Sequence, residues 1–171
     1  MTSIVSHAEL LEALDYSPST GIFKWKRNSP RARIGSVAGS ANNKGYLYIT
    51  LNGKVYSAHA LAWFYVNQVW AVGNIDHINN VRTDDRIINL RLATNQENHR
   101  NRSLSSQNKL GYKGVRAGKN GKYVARIFVD AKERHLGTFA TPELAAEAYD
   151  AAAKILFGSF ALTNRDMGNL I

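Results

Sequence analysis

The chain has 171 residues, 44% of them hydrophobic and 20% charged, an ordinary globular composition with enough length for one medium domain or two small ones. It contains no cysteine, which excludes disulfides and thiolate metal sites and leaves oxygen and imidazole as the available metal ligands. A formal charge of +9 points to a polyanionic partner, nucleic acid first.

From the start of the chain, Met1 to Leu14 is amphipathic and acidic and does not read as a signal peptide. Nor is there an apolar run that would span a bilayer, and the absence of cysteine leads to the expectation of a cytoplasmic protein. Ser6 to Leu14 predicts a short helix with Leu10, Leu11 and Leu14 on one side, ended by Pro18 and Gly21. Ile22 to Lys26 predicts a strand, followed by a basic loop through Arg27, Arg31 and Arg33. Tyr46–Leu51 and Lys54–Ala58 flank Asn52-Gly53, the pair suited to the positive φ angles of a two-residue hairpin turn. His59 to Val66 predicts a helix with Leu61, Trp63, Phe64 and Val66 as apolar bulk.

Asp76-His77 closes a short strand after Gly73-Asn74-Ile75, and Asn89-Leu90-Arg91 begins twelve residues beyond His77. Thr94 and Glu97 have capping-box spacing, so a helix should begin there with Asn98 in its first turn. The local plan is strand, polar loop, strand, helix, a compact unit able to gather Asp76, His77, Asn89 and Asn98. Asp84-Asp85 falls in the loop and reads as a solvated turn rather than a second metal pair. His59 reads as a helix-start or packing residue, with support for His77 as the alternative.

Beyond a polar stretch, Ser103 to Asn108, that reads as a linker, strands are predicted over Gly114–Ala117, Tyr123–Val129 and Arg134–Phe139. Thr141-Pro142-Glu143 then opens an alanine-rich helix that runs to Phe157 and stops at Gly158. Between Lys109 and Arg126 lie six basic residues and no acidic one, interleaved with Tyr112, Tyr123 and glycines, a pattern of a binding strip. In the middle strand Tyr123, Ala125, Ile127 and Val129 share the face that suits the helix, and Lys122, Val124 and Arg126 share the other.

The residue types around His77 suit phosphodiester hydrolysis. Histidine can activate water near neutral pH, and a carboxylate with an amide oxygen makes a hard partial ligand set for Mg²⁺. Asp76-His77, Asn89-Leu90-Arg91 and Asn98, with His59-Ala60-Leu61-Ala62-Trp63, Gly45-Tyr46 and Thr20-Gly21-Ile22-Phe23-Lys24-Trp25, resemble the HNH (His-Me finger, ββα-metal) endonucleases of the phage and intron homing branch. The resemblance covers roughly residues 10 to 102 and implies a metal-dependent DNA endonuclease acting in a phage-infected or bacterial host cell. It implies His77 as general base, Asp76 and Asn98 as ligands of Mg²⁺ (or Mn²⁺), and Asn89 as the residue that orients His77. Three positions depart from that branch: Ala60 stands where Arg is usual, Ala71 replaces a common Pro, and Asp85 stands where Asn is frequent.

Residues 111 to 164 run through Gly-Tyr-Lys-Gly-Val-Arg, Gly-Lys-Tyr-Val-Ala-Arg-Ile, His-Leu-Gly-Thr-Phe and Ala-Ala-Glu-Ala-Tyr-Asp. They resemble the apetala/ethylene-response-factor DNA-binding domain, in which a three-stranded antiparallel sheet enters the major groove and one helix braces it. That resemblance carries DNA contact to Lys113, Arg116, Arg126 and His135; Lys119 and Lys122 join them as neighbouring cations. Gly118 and Phe128 fall where Arg is usual.

The expected fold class is therefore α+β: an N-terminal β-hairpin region with a ββα-metal HNH core, then a small three-stranded antiparallel sheet on one helix. Expected boundaries are residues 1–102 for the nuclease part, 103–110 for a linker and 111–165 for the DNA-binding domain. The expected partner is double-stranded DNA, with the chain a monomer or homodimer. The competing expectation is a catalytically inactive, sequence-specific DNA-binding regulator.

Overall fold

The computed structural model describes residues 4–28, 32–104 and 107–170. Arg31 of the basic loop and positions 105–106 of the expected linker lie outside the described residues. Helix and strand are mixed and the sheets are small and antiparallel, an α+β protein. The chain forms two compact units, Met1–Thr94 and Asn95–Ile171. Among the described residues no helix is long and apolar enough to cross a membrane.

In the N-terminal unit, helix α1 (His7–Ala13) starts at a capping box: the Ser6 hydroxyl accepts from the Glu9 amide, and the Glu9 carboxylate accepts from the Ser6 amide at 2.7 Å. The expected helix stops one residue short. Leu14 instead opens strand β1 (Leu14–Ser17), which pairs antiparallel with β2 (Ile22–Trp25). Leu14 and Tyr16 alternate inward along that strand, a period of two hidden by the helical spacing of Leu10 and Leu14. A second sheet has the order β3 (Ser40–Ala41), β4 (Leu47–Leu51), β5 (Lys54–Ser57), and its Asn52-Gly53 turn takes φ values of 50° and 76° as the dipeptide demands. Helix α2 (Ala58–Asn67) packs on α1, β4 and β5. Leu10, Leu14, Phe23, Ile49, Leu51 and Leu61 form the centre of one core, all essentially removed from water. Strands β6 (Asn74–His77) and β7 (Leu90–Ala93) close the unit as an antiparallel pair.

In the C-terminal unit, helix α3 (Asn95–Arg100) begins where the Thr94/Glu97 spacing placed it. A three-stranded sheet follows in the order β10-β9-β8, with β8 at Val115–Ala117, β9 at Tyr123–Val129 and β10 at Lys132–Phe139. Helix α4 (Pro142–Phe157) is capped by the Thr141 hydroxyl, which accepts from the Leu144 amide, and ends at Gly158. Its Ala145, Ala146 and Ala153 are fully buried against the sheet, the close approach that small side chains permit. The approach is tightest at Gly114, whose φ is 76° and whose missing Cβ would fall inside the Tyr149 ring. Asn164 ties the end of the chain to β8: its side chain accepts from the Lys113 amide at 2.6 Å and donates to the Lys113 carbonyl and to Asp150.

Candidate functional site

The β6–β7 register decides what the Asp76-His77 dipeptide can do. Adjacent strand residues point to opposite faces, and Asp76 stands opposite Arg91 while His77 stands opposite Leu90. Asp76 is accordingly an ion-pair residue: Arg91 Nε and Nη2 both donate to its Oδ2, at 2.9 and 2.7 Å. His77 faces the interior side and is 5% exposed.

His77 Nε2 lies 2.8 Å from Asp85 Oδ1, and Asp85 is 0% exposed. The reading of Asp84-Asp85 as a solvated turn is therefore corrected for Asp85: a carboxylate this deeply buried needs a partner, and His77 is that partner. Asp84 does face outward, where it accepts from Arg86 Nε and Nη2 at 2.6 Å and from Asn79; Arg86, the larger effect, holds its carboxyl down at about 2. An ionised Asp85 only accepts, so His77 Nε2 carries the proton and Nδ1 carries the lone pair.

Remote segments fix Asp85. The Tyr16 hydroxyl donates to its carbonyl at 2.7 Å. Gly21, with φ 74°, lets the β1–β2 turn lie directly on the Asp85-Arg86 peptide; a Cβ there would stand 2.5 Å from the Arg86 nitrogen. Asn89 works on the same loop. Its Oδ1 accepts from the Asn79 amide, and its Nδ2 donates to the Asn79 side chain and the Asp84 carbonyl. Asn89 thus ties its own end of the 78–89 loop to Asn79 and Asp84, and at Nε2 the imidazole's hydrogen-bond partner is Asp85.

Two residues that spacing alone did not gather, His59 and Tyr46, lie beside the imidazole. The His59 ring lies edge-on to His77 at 5.2 Å between centroids, and the Tyr46 ring covers both, at 5.7 Å from His59 and 6.0 Å from His77. The Arg82 guanidinium sits 5.2 Å over the Tyr46 ring and donates one hydrogen bond to the Lys44 carbonyl. Burial pushes the His59 imidazole down to about 4, helped by His77 and opposed by Asp85, so it is neutral at pH 7. The ligand atoms of His59, His77 and Asp85 all lie within 4.8 Å of one another. A signal for His59 was available in its place at the start of α2, but nothing in the sequence said which strand it would meet.

Asn98, the other expected metal ligand, lies in α3 and so in the C-terminal unit. In that unit the expected DNA-contacting residues part ways. Lys113 turns inward: its ammonium donates to the carbonyls of Arg100, Arg102 and Leu162 at 2.8, 2.8 and 3.1 Å, and burial pushes it down to about 8 against the opposing charge of Asp150. Arg116, Lys119, Lys122 and His135 are exposed. Arg116 is opposite Val124 and His135 opposite Arg126, so Arg116, Arg126 and His135 share the sheet face away from α4. Glu133 is on that face too, its carboxylate 2.6 Å from Arg126 Nη1 and 3.9 Å from Arg116 Nη2. A cleft of about 670 Å³ opens elsewhere in this unit, lined in part by Arg100, Phe128, Tyr149 and Phe157.

Residues 56–100 match the family model of HNH endonucleases, a span that holds His59, His77, Asp85, Asn89 and Asn98. An uncharacterized HNH endonuclease of Acanthamoeba polyphaga mimivirus is 36% identical over 91 residues, 53% of this chain and 46% of that protein. An ethylene-responsive transcription factor of Arabidopsis thaliana is 52% identical over 56 residues, covering 31% of this chain and 30% of its own length. An AP2-like ethylene-responsive transcription factor of the same plant is 48% identical over 59 residues, 33% of this chain and 11% of that one. The chain thus spans less than half the length of each of these relatives.

Proposed function

We propose that this chain is a metal-dependent, site-specific DNA endonuclease of the homing kind, cutting with the N-terminal unit and choosing its site with the C-terminal sheet. The observation that supports it best is the buried His77–Asp85 pair inside the segment that matches HNH endonucleases.

In this reading His77 Nδ1 takes the proton from the water that attacks the phosphorus. Asp85 accepts from Nε2 and balances the imidazolium that forms, and low exposure strengthens that interaction. Asn89 holds the loop so that Asp85 stays at 2.8 Å. Arg82, propped on Tyr46, offers its remaining N–H groups to a phosphate of the substrate strand. Asp76 would offer a divalent cation its carboxylate, a hard donor that fits Mg²⁺ and is 6% exposed. When bound, the cation supplies charge neutralisation at the phosphate and the leaving oxygen. On the C-terminal sheet, Arg116, Arg126 and His135 read base edges in the major groove, and Lys119 and Lys122 meet phosphates.

Nicking of a supercoiled plasmid tests this. Mg²⁺ should support it and EDTA abolish it, and His77→Ala should lower the rate by ~10²–10⁴-fold while DNA affinity changes little. Wild-type turnover in His77→Ala would remove the assigned base. The likeness of the C-terminal unit to transcription factors favours a second reading, a DNA-binding regulator without cleavage; binding with no nicking under any divalent cation would select it.

A further inference from the structure

His59 and Asp85 hold more polar capacity than the fold uses. Asp85 Oδ2 and His59 Nδ1 are both buried, and neither has a hydrogen-bond partner. Each such orphan costs about 1–3 kcal/mol, so leaving two side by side around one histidine calls for a ligand. We propose that His59, His77 and Asp85 form a binding site for a borderline divalent cation of the Zn²⁺ class, and that filling it takes His77 out of service as a base. The second half rests on the nuclease reading above; the first does not.

The donor set selects the cation. Two imidazole nitrogens and one carboxylate oxygen, with no thiolate in the chain, match Zn²⁺ or Co²⁺ and leave a fourth position for water. Mg²⁺ prefers oxygen ligands and gives up its waters reluctantly, so it competes poorly here. The geometry needs little change. Ligand atoms bonded at about 2.0 Å in a tetrahedral site stand roughly 3.3 Å apart. The His77 Nε2–Asp85 Oδ1 pair, at 2.8 Å, must open by about half an ångström, while the 4.8 Å limit of the cluster closes inward.

The consequence for His77 is a matter of tautomers. Bound at Nε2, the neutral imidazole must carry its proton on Nδ1, which then donates and no longer accepts. The cation site and the base are two states of one ring, and a trace of Zn²⁺ would silence a Mg²⁺-supported reaction without displacing Mg²⁺.

Titrating the full chain with Co²⁺, in excess Mg²⁺, reads the site directly through the visible bands of four-coordinate Co²⁺. One equivalent should bind and one equivalent of Zn²⁺ should erase the bands. Asp85→Asn and His59→Gln, each checked for folding by circular dichroism, should weaken binding at least about tenfold, since loss of a ligand costs no less than loss of its supporting hydrogen bond. Asp76→Asn should bind as the wild type does. Absent bands, or bands unchanged in both folded ligand variants, would overturn the site. Stoichiometric Zn²⁺ should also stop plasmid nicking in Mg²⁺; undiminished nicking by Zn²⁺-loaded protein would overturn the silencing. If no metal supports nicking, the nuclease reading fails, and the Co²⁺ titration still decides the site.

Discussion

The two units treat their polar groups in opposite ways. The N-terminal unit buries Asp76, His77, Asp85 and Asn89 and meets them with partners drawn from several segments. The C-terminal unit keeps Arg116, Lys119, Lys122 and His135 in water, on and around an open sheet face, where Glu133 bridges to Arg116 and Arg126. Buried groups in a low-dielectric setting hold a fixed geometry and suit bond chemistry; exposed ones remain adaptable and suit recognition. If that division is right, damage to packing should tell on chemistry in one unit and on binding in the other.

Two glycines give the largest expected effects. Gly21→Ala forces a Cβ into the Asp85-Arg86 peptide at a φ of 74°, and Gly114→Ala forces one into the Tyr149 ring at 76°. Strain and overpacking together should cost each unit about 2–4 kcal/mol in denaturant melts. Gly21→Ala should also displace Asp85 and slow cleavage of any plasmid, while Gly114→Ala should chiefly lose DNA affinity. Equal loss of cleavage rate at saturating DNA in both variants would erase the contrast between the units.

Next in size is an acid sensitivity confined to the N-terminal unit. The His59 imidazole is held at about 4 in the fold against an ordinary 6.5, chiefly by burial. Between those values the unfolded chain binds a proton that the folded chain refuses, so this contribution is full above pH 6.5 and is lost as pH falls toward 4. Discounted for its partial exposure, the loss should be on the order of 2–3 kcal/mol. Urea melts at pH 7 and pH 4.5 should show it in the wild type, and His59→Gln should shed that difference. An unchanged pH slope in His59→Gln would assign the acid sensitivity to other groups.

How far the sequence foretells each unit follows from the same contrast. In the C-terminal unit the helix from Thr141 to Gly158 and the middle strand from Tyr123 to Val129 were legible to the residue, because caps, alanines and a two-residue period are local signals. Lys113 was not, since its three carbonyl partners, Arg100, Arg102 and Leu162, come from segments on both sides of it that no local pattern brings together. In the N-terminal unit the hairpin at Asn52-Gly53 and the strand bearing Asp76-His77 were legible for the same local reasons. Asp85 was misread as solvated because its burial depends on Tyr16 and Gly21, more than sixty residues upstream. That Asp76 stands opposite Arg91 and His77 opposite Leu90 is set by the β6–β7 register, and register is a property of two strands together.

The smallest expected effect is also the sharpest test of the open face. Arg116→Ala should cost roughly 1–3 kcal/mol on the cognate site and less on random DNA, whereas Lys119→Ala should weaken every sequence alike. Glu133 holds Arg126 at 2.6 Å and Arg116 at 3.9 Å, so it competes with DNA for both guanidinium groups and repels phosphates. Glu133→Gln removes a charge from an exposed pair, which should change folding stability by less than ~1 kcal/mol. It should tighten binding to all sequences a few-fold, with a salt dependence steeper by about one unit of slope. Salt-dependent titrations on cognate and random duplexes separate this from its opposite. If Glu133→Gln weakens cognate binding alone, the carboxylate is aiming the arginines rather than masking them. The open face would then be as preorganised as the buried site, and the contrast between the units would lie in exposure and not in rigidity.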